Sequence, residues 1–308
     1  SYSFAYTNNL KSELEKNGEF QRKNRVKSNI KNILVIGGAG YIGSVLVRRL
    51  LDKSYNVRTM DILLYGDESI KELYKNRNFE FMRGDCRNMQ DVICALDGMD
   101  SVVHLGEIVG DPACSLSPDF TIEVNFMATK TLAEACCHYG IGRFIFSSSC
   151  SVYGVNSKEL DEDSELNPVS LYARCKVESE KAILSINDSH FSPVILRLAT
   201  VYGFSHRPRF DLVINLLTAK AVTEKQIKIF GGEQWRPFVS VDDVADAILY
   251  MLRAEDKVVK REIFNVGSNE LNFSKLDLAK KIKEHIDFKI IDSDLSDFDK
   301  RNFIINYD

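Results

Sequence analysis

Tyr172 and Lys176 stand four residues apart in Tyr172-Ala173-Arg174-Cys175-Lys176, the spacing that puts two side chains on one face of a helix. They form a proton-transfer pair. A free phenol, with a pKa of about 10, is a poor base at neutral pH, and a nearby ammonium favours the phenolate and lowers that value. A phenol tuned in this way can take the proton of a hydroxyl while the carbon bearing it gives up a hydride. Upstream, the run RFIFSSS (143–149) ends in Ser147-Ser148-Ser149, where a hydroxyl can bond the same substrate oxygen.

A hydride needs an acceptor, and the sequence contains a site for one. Gly37-Gly38-Ala39-Gly40-Tyr41-Ile42-Gly43 directly follows an apolar run and opens a helix-length segment. Gly37, Gly40 and Gly43 let the chain turn tightly, approach a pyrophosphate and pack helix on strand, while the helix that begins at Tyr41 and Ile42 aims its first N–H groups at the anion. Asp61 ends the second strand-like run, where a carboxylate accepts hydrogen bonds from an adenosine ribose. Ile62, Leu63 and Leu64 follow it. None of these can neutralise a 2′-phosphate, so NAD is expected rather than NADP.

These groups need a frame. The runs NILVIGG (32–38), YNVRTMD (55–61), FEFMRGD (79–85), DSVVHLG (100–106), RFIFSSS and SPVILRL (192–198) read as strands, with helix-length stretches such as 41–53 and 119–139 between them. Continuous apolar strands are buried on both faces, and their alternation with helices implies right-handed crossovers. The expected class is α/β, a Rossmann-type doubly wound parallel sheet over 32–199. Residues 200–308, where the alternation loosens, are expected to form a smaller substrate-binding lobe. Residues 1–31 read as a basic extension, with seven Lys or Arg against three Glu.

Composition sets outer bounds. The chain has 308 residues, 44% hydrophobic and 27% charged, with a net charge of -4, which gives no electrostatic case for nucleic acid. No stretch approaches the ~20 apolar residues of a membrane helix, and the start has no signal-peptide pattern, so a cytoplasmic protein is expected. Seven cysteines, an odd number with no C-x-x-C pair, read as reduced thiols, most of them buried, with no metal site.

The spacing G-x-x-G-x-x-G resembles the short-chain dehydrogenase/reductase superfamily, and the likeness runs through most of 32–308. With the length and the second lobe, it resembles the extended, nucleotide-sugar branch. The resemblance implies roles for single residues. Asp85, followed by Cys86, corresponds to an adenine-contacting Asp after the third strand. Leu105 and Gly106, in His104-Leu105-Gly106, correspond to a cofactor-lining H-L-A, and Asn125 to a helix Asn. Ser149 is the substrate-binding hydroxyl, Tyr172 the acid/base and Lys176 the holder of the nicotinamide ribose, with Ser147 also at the cofactor. A homodimer through the helices at 119–139 and 168–186 is likewise implied.

The residues after Ser149 discriminate between chemistries. Sugar-nucleotide 4,6-dehydratases resemble T-D-E-V-Y-G here, with two carboxyls that carry the elimination. This chain has Ser149-Cys150-Ser151-Val152-Tyr153-Gly154. A thiol is a mediocre substitute acid, so a dehydratase is argued against, and the run is similar to that of UDP-glucose 4-epimerases. Glu107 departs from the branch's usual small residue; it either binds a sugar hydroxyl, acts as a second base, or is a surface or paired carboxylate. Thr200 takes the place of the branch's Asn in R-L-A-T-V-Y-G. By resemblance Asn215, Arg236 and Arg301 contact the nucleotide diphosphate, with Arg209 beside them, as suits the planar guanidinium fork. R-L-A-T-V-Y-G followed by R-P-R-F-D-L-V-I-N also resembles GDP-heptose 4-dehydrogenases. The chain stops at Asp308, before the closing helix usual in relatives, so the expectation is that the remainder is disordered or removed, or that the lobe is completed differently.

The expected substrate is a nucleoside-diphosphate sugar and the expected reaction an NAD-dependent epimerisation through a 4-keto intermediate. A 4-dehydrogenase or 4-ketoreductase shares its first steps. A non-catalytic NAD-sensing or scaffold protein would have lost Tyr172 or Lys176, and both are present.

Overall fold

A computed structural model describes residues 30–293 and 302–307. The basic extension, apart from its last two residues, and Arg301 lie outside the described residues. The strands are β1 (Asn32–Ile36), β2 (Asn56–Asp61), β3 (Phe79–Arg83), β4 (Ser101–His104), β5 (Arg143–Ser149), β6 (Val155–Leu160), β7 (Ser192–Leu198), β8 (Thr200–Tyr202), β9 (Gln226–Phe230), β10 (Trp235–Ser240), β11 (Ile263–Val266), β12 (Asn272–Ser274), β13 (Lys289–Ser293) and β14 (Asn302–Ile305).

Seven of them form one parallel sheet in the order β11-β7-β5-β4-β1-β2-β3. All six expected strands are present. In β1 Ile33 and Val35 join the core on one face while Leu34 and Ile36 join the core on the other, which is why this strand reads as an unbroken apolar run. The chain moves outward from β1 to β3, then returns to β4 on the other side of β1. Such a reversal of strand order leaves a crevice at the carboxyl ends of the strands, where ligands bind in open α/β sheets. Ile36, Asp61, His104 and Ser149 all lie at that edge.

Residues beyond 200 do not keep to themselves. β11 pairs with β7 to close the large sheet, and the helix Val241–Arg253 packs Val244, Ile248 and Leu252 into the same core as Val45, Leu46 and Leu50 of the first helix, Tyr41–Asp52. Arg49 of the first helix reaches Asp242 at 2.6 Å and Asp246 at 2.7 Å. The residues from 200 onward thus contribute both to the sheet and to a separate core of Leu217, Ile227, Phe238, Leu278 and Ile282. That second core is built on the small sheet β12-β10-β8 and the pair β13-β9. Among the described residues no helix is long and apolar enough to cross a membrane. All seven cysteines are thiols, with Cys114, Cys136, Cys150 and Cys175 buried.

The helix Leu171–Ser185 starts at Ser170, whose hydroxyl accepts the Ala173 N–H at 3.2 Å, the N-cap that satisfies an orphan donor of the first turn. Its inner face carries charge. Glu180 accepts from Arg197 of β7 through Nη2 at 2.8 Å and Nε at 3.2 Å, and both side chains are 3% exposed. Arg197 also donates to the Tyr153 hydroxyl at 2.9 Å and the Glu162 carbonyl at 3.1 Å, and the Ser148 hydroxyl donates to Glu180. A charge in a strand buried on both faces must find a partner, and this one ties the helix to the sheet. Removing one member of a buried pair leaves the other uncompensated, at a cost of about 3–5 kcal/mol. Arg197→Leu is expected to lose about that much unfolding free energy in urea, and Arg197→Met with Glu180→Leu to recover most of it; a loss under about 1 kcal/mol in the single variant would remove the anchoring role.

Candidate active site

The glycine turn fits a dinucleotide. Gly37 has φ +81, a conformation glycine adopts without the penalty a Cβ brings, and a Cβ there would stand 2.7 Å from the Gly106 nitrogen. A Cβ on Gly43 would stand 2.2 Å from the Gly37 carbonyl oxygen. The first helix has Gly40 as its N-cap, with no side-chain cap and no acidic residue in its first turn. Its positive end is therefore left open to an anion such as a pyrophosphate. Asp61 accepts the Ala39 N–H at 3.0 Å and the Leu63 N–H at 2.8 Å. Burial raises its pKa, and these two donors and the charge of Arg207 offset only part of the rise. These features suit NAD.

Other residues expected at the cofactor are placed as follows. Ile62 lies half exposed just beyond Asp61. Asp85 is paired with Arg87 at 2.6 Å, which holds its carboxyl below the usual range. Burial pushes the Cys86 thiol up to about 12, so it stays protonated. Leu105 donates its N–H to the Ile36 carbonyl at 2.9 Å. Asn125 is buried on a π-helical stretch, Glu123–Met127, where its amide exchanges two hydrogen bonds with the Ile108 backbone at 2.9 and 2.7 Å. The π-turn interrupts the helical segment expected over 119–139, and such single turns often mark functional sites.

Ser149, Tyr172 and Lys176 come together at the end of β5. The Ser149 hydroxyl lies near enough to the Tyr172 phenol to favour its ionised form. Lys176 is buried, donates to the Ser147 carbonyl, and lies 4.6 Å from the Phe146 ring centroid and 5.5 Å from that of Tyr172. Its second partner is Glu107. This carboxylate, 2% exposed, forms an ion pair with the Lys176 ammonium, and its Oε1 has no hydrogen-bond partner among the described residues. Of the roles open to Glu107, the structure shows the paired carboxylate, with one oxygen still uncommitted. Burial raises the Tyr172 pKa, the ammonium lowers it, and Glu107 raises it again. The Lys176 pKa is lowered by burial but raised overall by Glu107 and Tyr172, so the ammonium is kept.

The expected substrate contacts are less uniform. Thr200 is half buried on β8. Arg209 pairs with Asp211, close enough to Tyr172 for its charge to favour the phenolate. Asn215 is committed within the chain: its amide accepts from Gly203 N–H at 3.1 Å and donates to the Tyr41 hydroxyl at 3.2 Å and the Arg209 carbonyl at 3.0 Å. Arg236 is buried on β10 and donates to the Trp235 carbonyl at 2.8 Å. The Glu180–Arg197 pair and the Tyr41–Asn215 contact went unnoticed in the sequence. Glu180 had a visible signal, since it continues the face of Tyr172 and Lys176 by one more turn.

The profile of the NAD dependent epimerase/dehydratase family matches residues 33–267. An uncharacterized UDP-glucose epimerase of Bacillus subtilis (strain 168) is 33% identical over 249 residues, covering 77% of each chain. A dTDP-D-glucose 4,6-dehydratase of Dictyostelium discoideum is 31% identical over 276 residues, 82% of this chain and 62% of that protein. A solved UDP-glucuronic acid 4-epimerase from Bacillus cereus, in complex with UDP-glucuronic acid and NAD, superposes with a TM-score of 0.80 at 31% identity over 90% of both chains.

His104 ends β4 beside this cluster. It is buried, with Nε2 2.9 Å from the Thr129 hydroxyl, and burial together with the Lys176 charge pushes its pKa down to about 3. Unfolded, it titrates near 6.5. The unfolded state therefore binds more protons between these values, so stability is fully present above about pH 6.5 and is lost as pH falls toward 3. His104→Gln is expected to shrink the difference in urea stability between pH 7 and pH 4.5 by about 2–3 kcal/mol; an unchanged difference would mean that His104 is not held neutral.

Proposed function

The chain belongs to the NAD-dependent epimerase/dehydratase family, and on that premise we propose that it is a nucleoside-diphosphate-sugar epimerase that works through oxidation at C4. The carrying observation is the convergence of Ser149, Tyr172 and Lys176 at the end of β5, with no carboxyl at the two positions that follow Ser149. Tyr172 takes the C4 hydroxyl proton, Ser149 bonds the same oxygen, and the Lys176 ammonium favours the phenolate. NAD, when bound, supplies the carbon that accepts the hydride from C4 and returns it. For the return, Tyr172 gives its proton back to the oxygen at C4, and a sugar that has turned over meanwhile receives the hydride on its other face.

A dehydratase is disfavoured by where Cys150 and Ser151 point. Both are buried, and the Cys150 thiol donates to the Arg197 carbonyl at 3.2 Å, with burial raising its pKa well above the ordinary value. A thiol turned into the core and kept protonated is not available to an elimination across C5 and C6. The dehydratase among the relatives therefore shares the frame, and this reading separates the two at these positions. Likenesses to enzymes of UDP-sugars favour a UDP-sugar substrate. Two copies pairing through the helices of 118–138 and 171–185 belong to the same reading, supported by the exposed Phe120, Ile122 and Met127; a monomer on light scattering would exclude it.

The test is a panel of UDP-, GDP- and dTDP-sugars, followed by proton NMR and by absorbance of reduced cofactor. A new epimer without accumulating NADH is expected, with a rate that rises with pH because burial raises the Tyr172 pKa. Tyr172→Phe is expected to lose about 10²–10⁴-fold in kcat while still binding NAD. Unchanged turnover in that variant would sink the assignment, and stoichiometric NADH with a keto sugar would replace the epimerase by a 4-dehydrogenase.

A further inference from the structure

The segment that follows β8 is fastened to the first helix. The Tyr41 hydroxyl donates to the Gly203 carbonyl at 2.8 Å, and the Ser205 hydroxyl donates to the Tyr41 carbonyl at 2.7 Å and lies 3.1 Å from the Ser44 hydroxyl. Ser44 and Ser205 are buried. Asn215 closes the far end of the segment on the Tyr41 hydroxyl and the Gly203 N–H. Between these fixed points the crossing brings Arg207 against the turn that follows Asp61.

Arg207 lies on that crossing. Its backbone N–H is held by the Ser205 hydroxyl at 3.2 Å, and its guanidinium carbon lies 3.7 Å from the centroid of the Tyr65 ring. Tyr65 belongs to the turn after Asp61, where Ile62, Leu64 and Tyr65 are 47%, 72% and 70% exposed. The charge of Arg207 reaches the Asp61 carboxylate. Neighbouring arginines are committed, Arg48 to Glu72, Arg87 to Asp85 and Arg209 to Asp211. The Arg207 guanidinium makes no hydrogen bond or ion pair among the described residues. A flat cation pre-oriented on an aromatic face, its donors unspent, is thus held at the adenosine end of the crevice.

We propose that Arg207 is a cofactor-binding residue, brought from beyond the NAD-binding sheet to hold the adenosine half of the dinucleotide between the first helix and the turn at Tyr65. Its donors serve the oxygen atoms on the adenosine side of NAD, and Tyr65 fixes the plane of the fork. Because the segment carrying it is pinned through buried hydroxyls, NAD leaves only when this crossing lifts. Retention of the cofactor suits an enzyme that returns its hydride to the same sugar; this clause rests on the proposed epimerisation, whereas the contact itself rests only on NAD binding.

The measurement is the rate at which preloaded NAD leaves the full chain, followed by rapid desalting and quantitation of retained NAD. Arg207→Ala is expected to release NAD about tenfold faster, the loss of one charge-assisted contact. Arg207→Lys, which keeps the charge without the fork, should fall between, and Tyr65→Ala should quicken release about two- to fivefold. Thermal melts of the NAD-free variants matching the parent make these effects local. Unchanged release from Arg207→Ala overturns the proposal, as does a variant that loses NADP binding while NAD release stays the same, which would make Arg207 a reader of a 2′-phosphate. Faster NAD release in Arg207→Ala, alongside a Tyr172→Phe variant that still turns over sugar, would keep the Arg207 contact and discard the epimerase chemistry.

Discussion

One helix face carries two charges that have been taken out of water. Lys176 and Glu180, a turn apart on Leu171–Ser185, each meet an opposite charge that comes from the sheet side: Glu107 after β4 and Arg197 in β7. Neither charge tolerates a shifted helix, because a buried ion without its partner costs several kcal/mol. The two pairs therefore fix the rotation and the height of the helix on the sheet. Tyr172, one turn before Lys176, inherits its place above Ser149 from them. The placement of the Tyr172 phenol is set by electrostatics beneath it as much as by apolar packing.

Much of this frame was legible in the chain. Six apolar runs became six parallel strands, and the glycine turn with Asp61 marked the dinucleotide crevice, because local sterics and two-sided burial leave their mark in consecutive residues. Tyr172, Lys176 and Ser149 were legible for the same reason, a fixed spacing on a helix and a strand end. What escaped were contacts between distant segments. Nothing local distinguishes Glu107 from a surface carboxylate, nor shows that the Asn215 amide is engaged by Tyr41. The π-turn at Glu123–Met127 was hidden as well, since its sequence has ordinary helical character. Arg207 could not be weighed against Asp61 at all while only the residues directly after Asp61 were considered.

The Tyr41 side chain joins the two halves of the site. It begins the helix whose N–H groups suit a pyrophosphate, and its hydroxyl also holds Gly203 and Asn215. A movement of the segment after β8 is therefore felt at the glycine turn through this phenol and through the Ser205 hydroxyl on the Tyr41 carbonyl. The cofactor side and the side expected to face the sugar are thus mechanically joined at Tyr41, and Arg209 lies close enough to Tyr41 and Tyr172 for its charge to act on both.

The last strand of the large sheet is made well after the others. β11, residues 263–266, closes it against β7, whose Arg197 anchors the Tyr172 helix, and the whole of β8 to β10 lies between the two in the chain. During elongation from the N-terminus at roughly 5–20 residues per second, β7 waits several seconds as an open edge with its buried arginine in place. Unpaired strand edges are where chains stick to one another. Until β11 arrives, the nascent protein carries an unpaired strand edge beside the helix that bears Tyr172 and Lys176, the kind of edge that promotes association between chains.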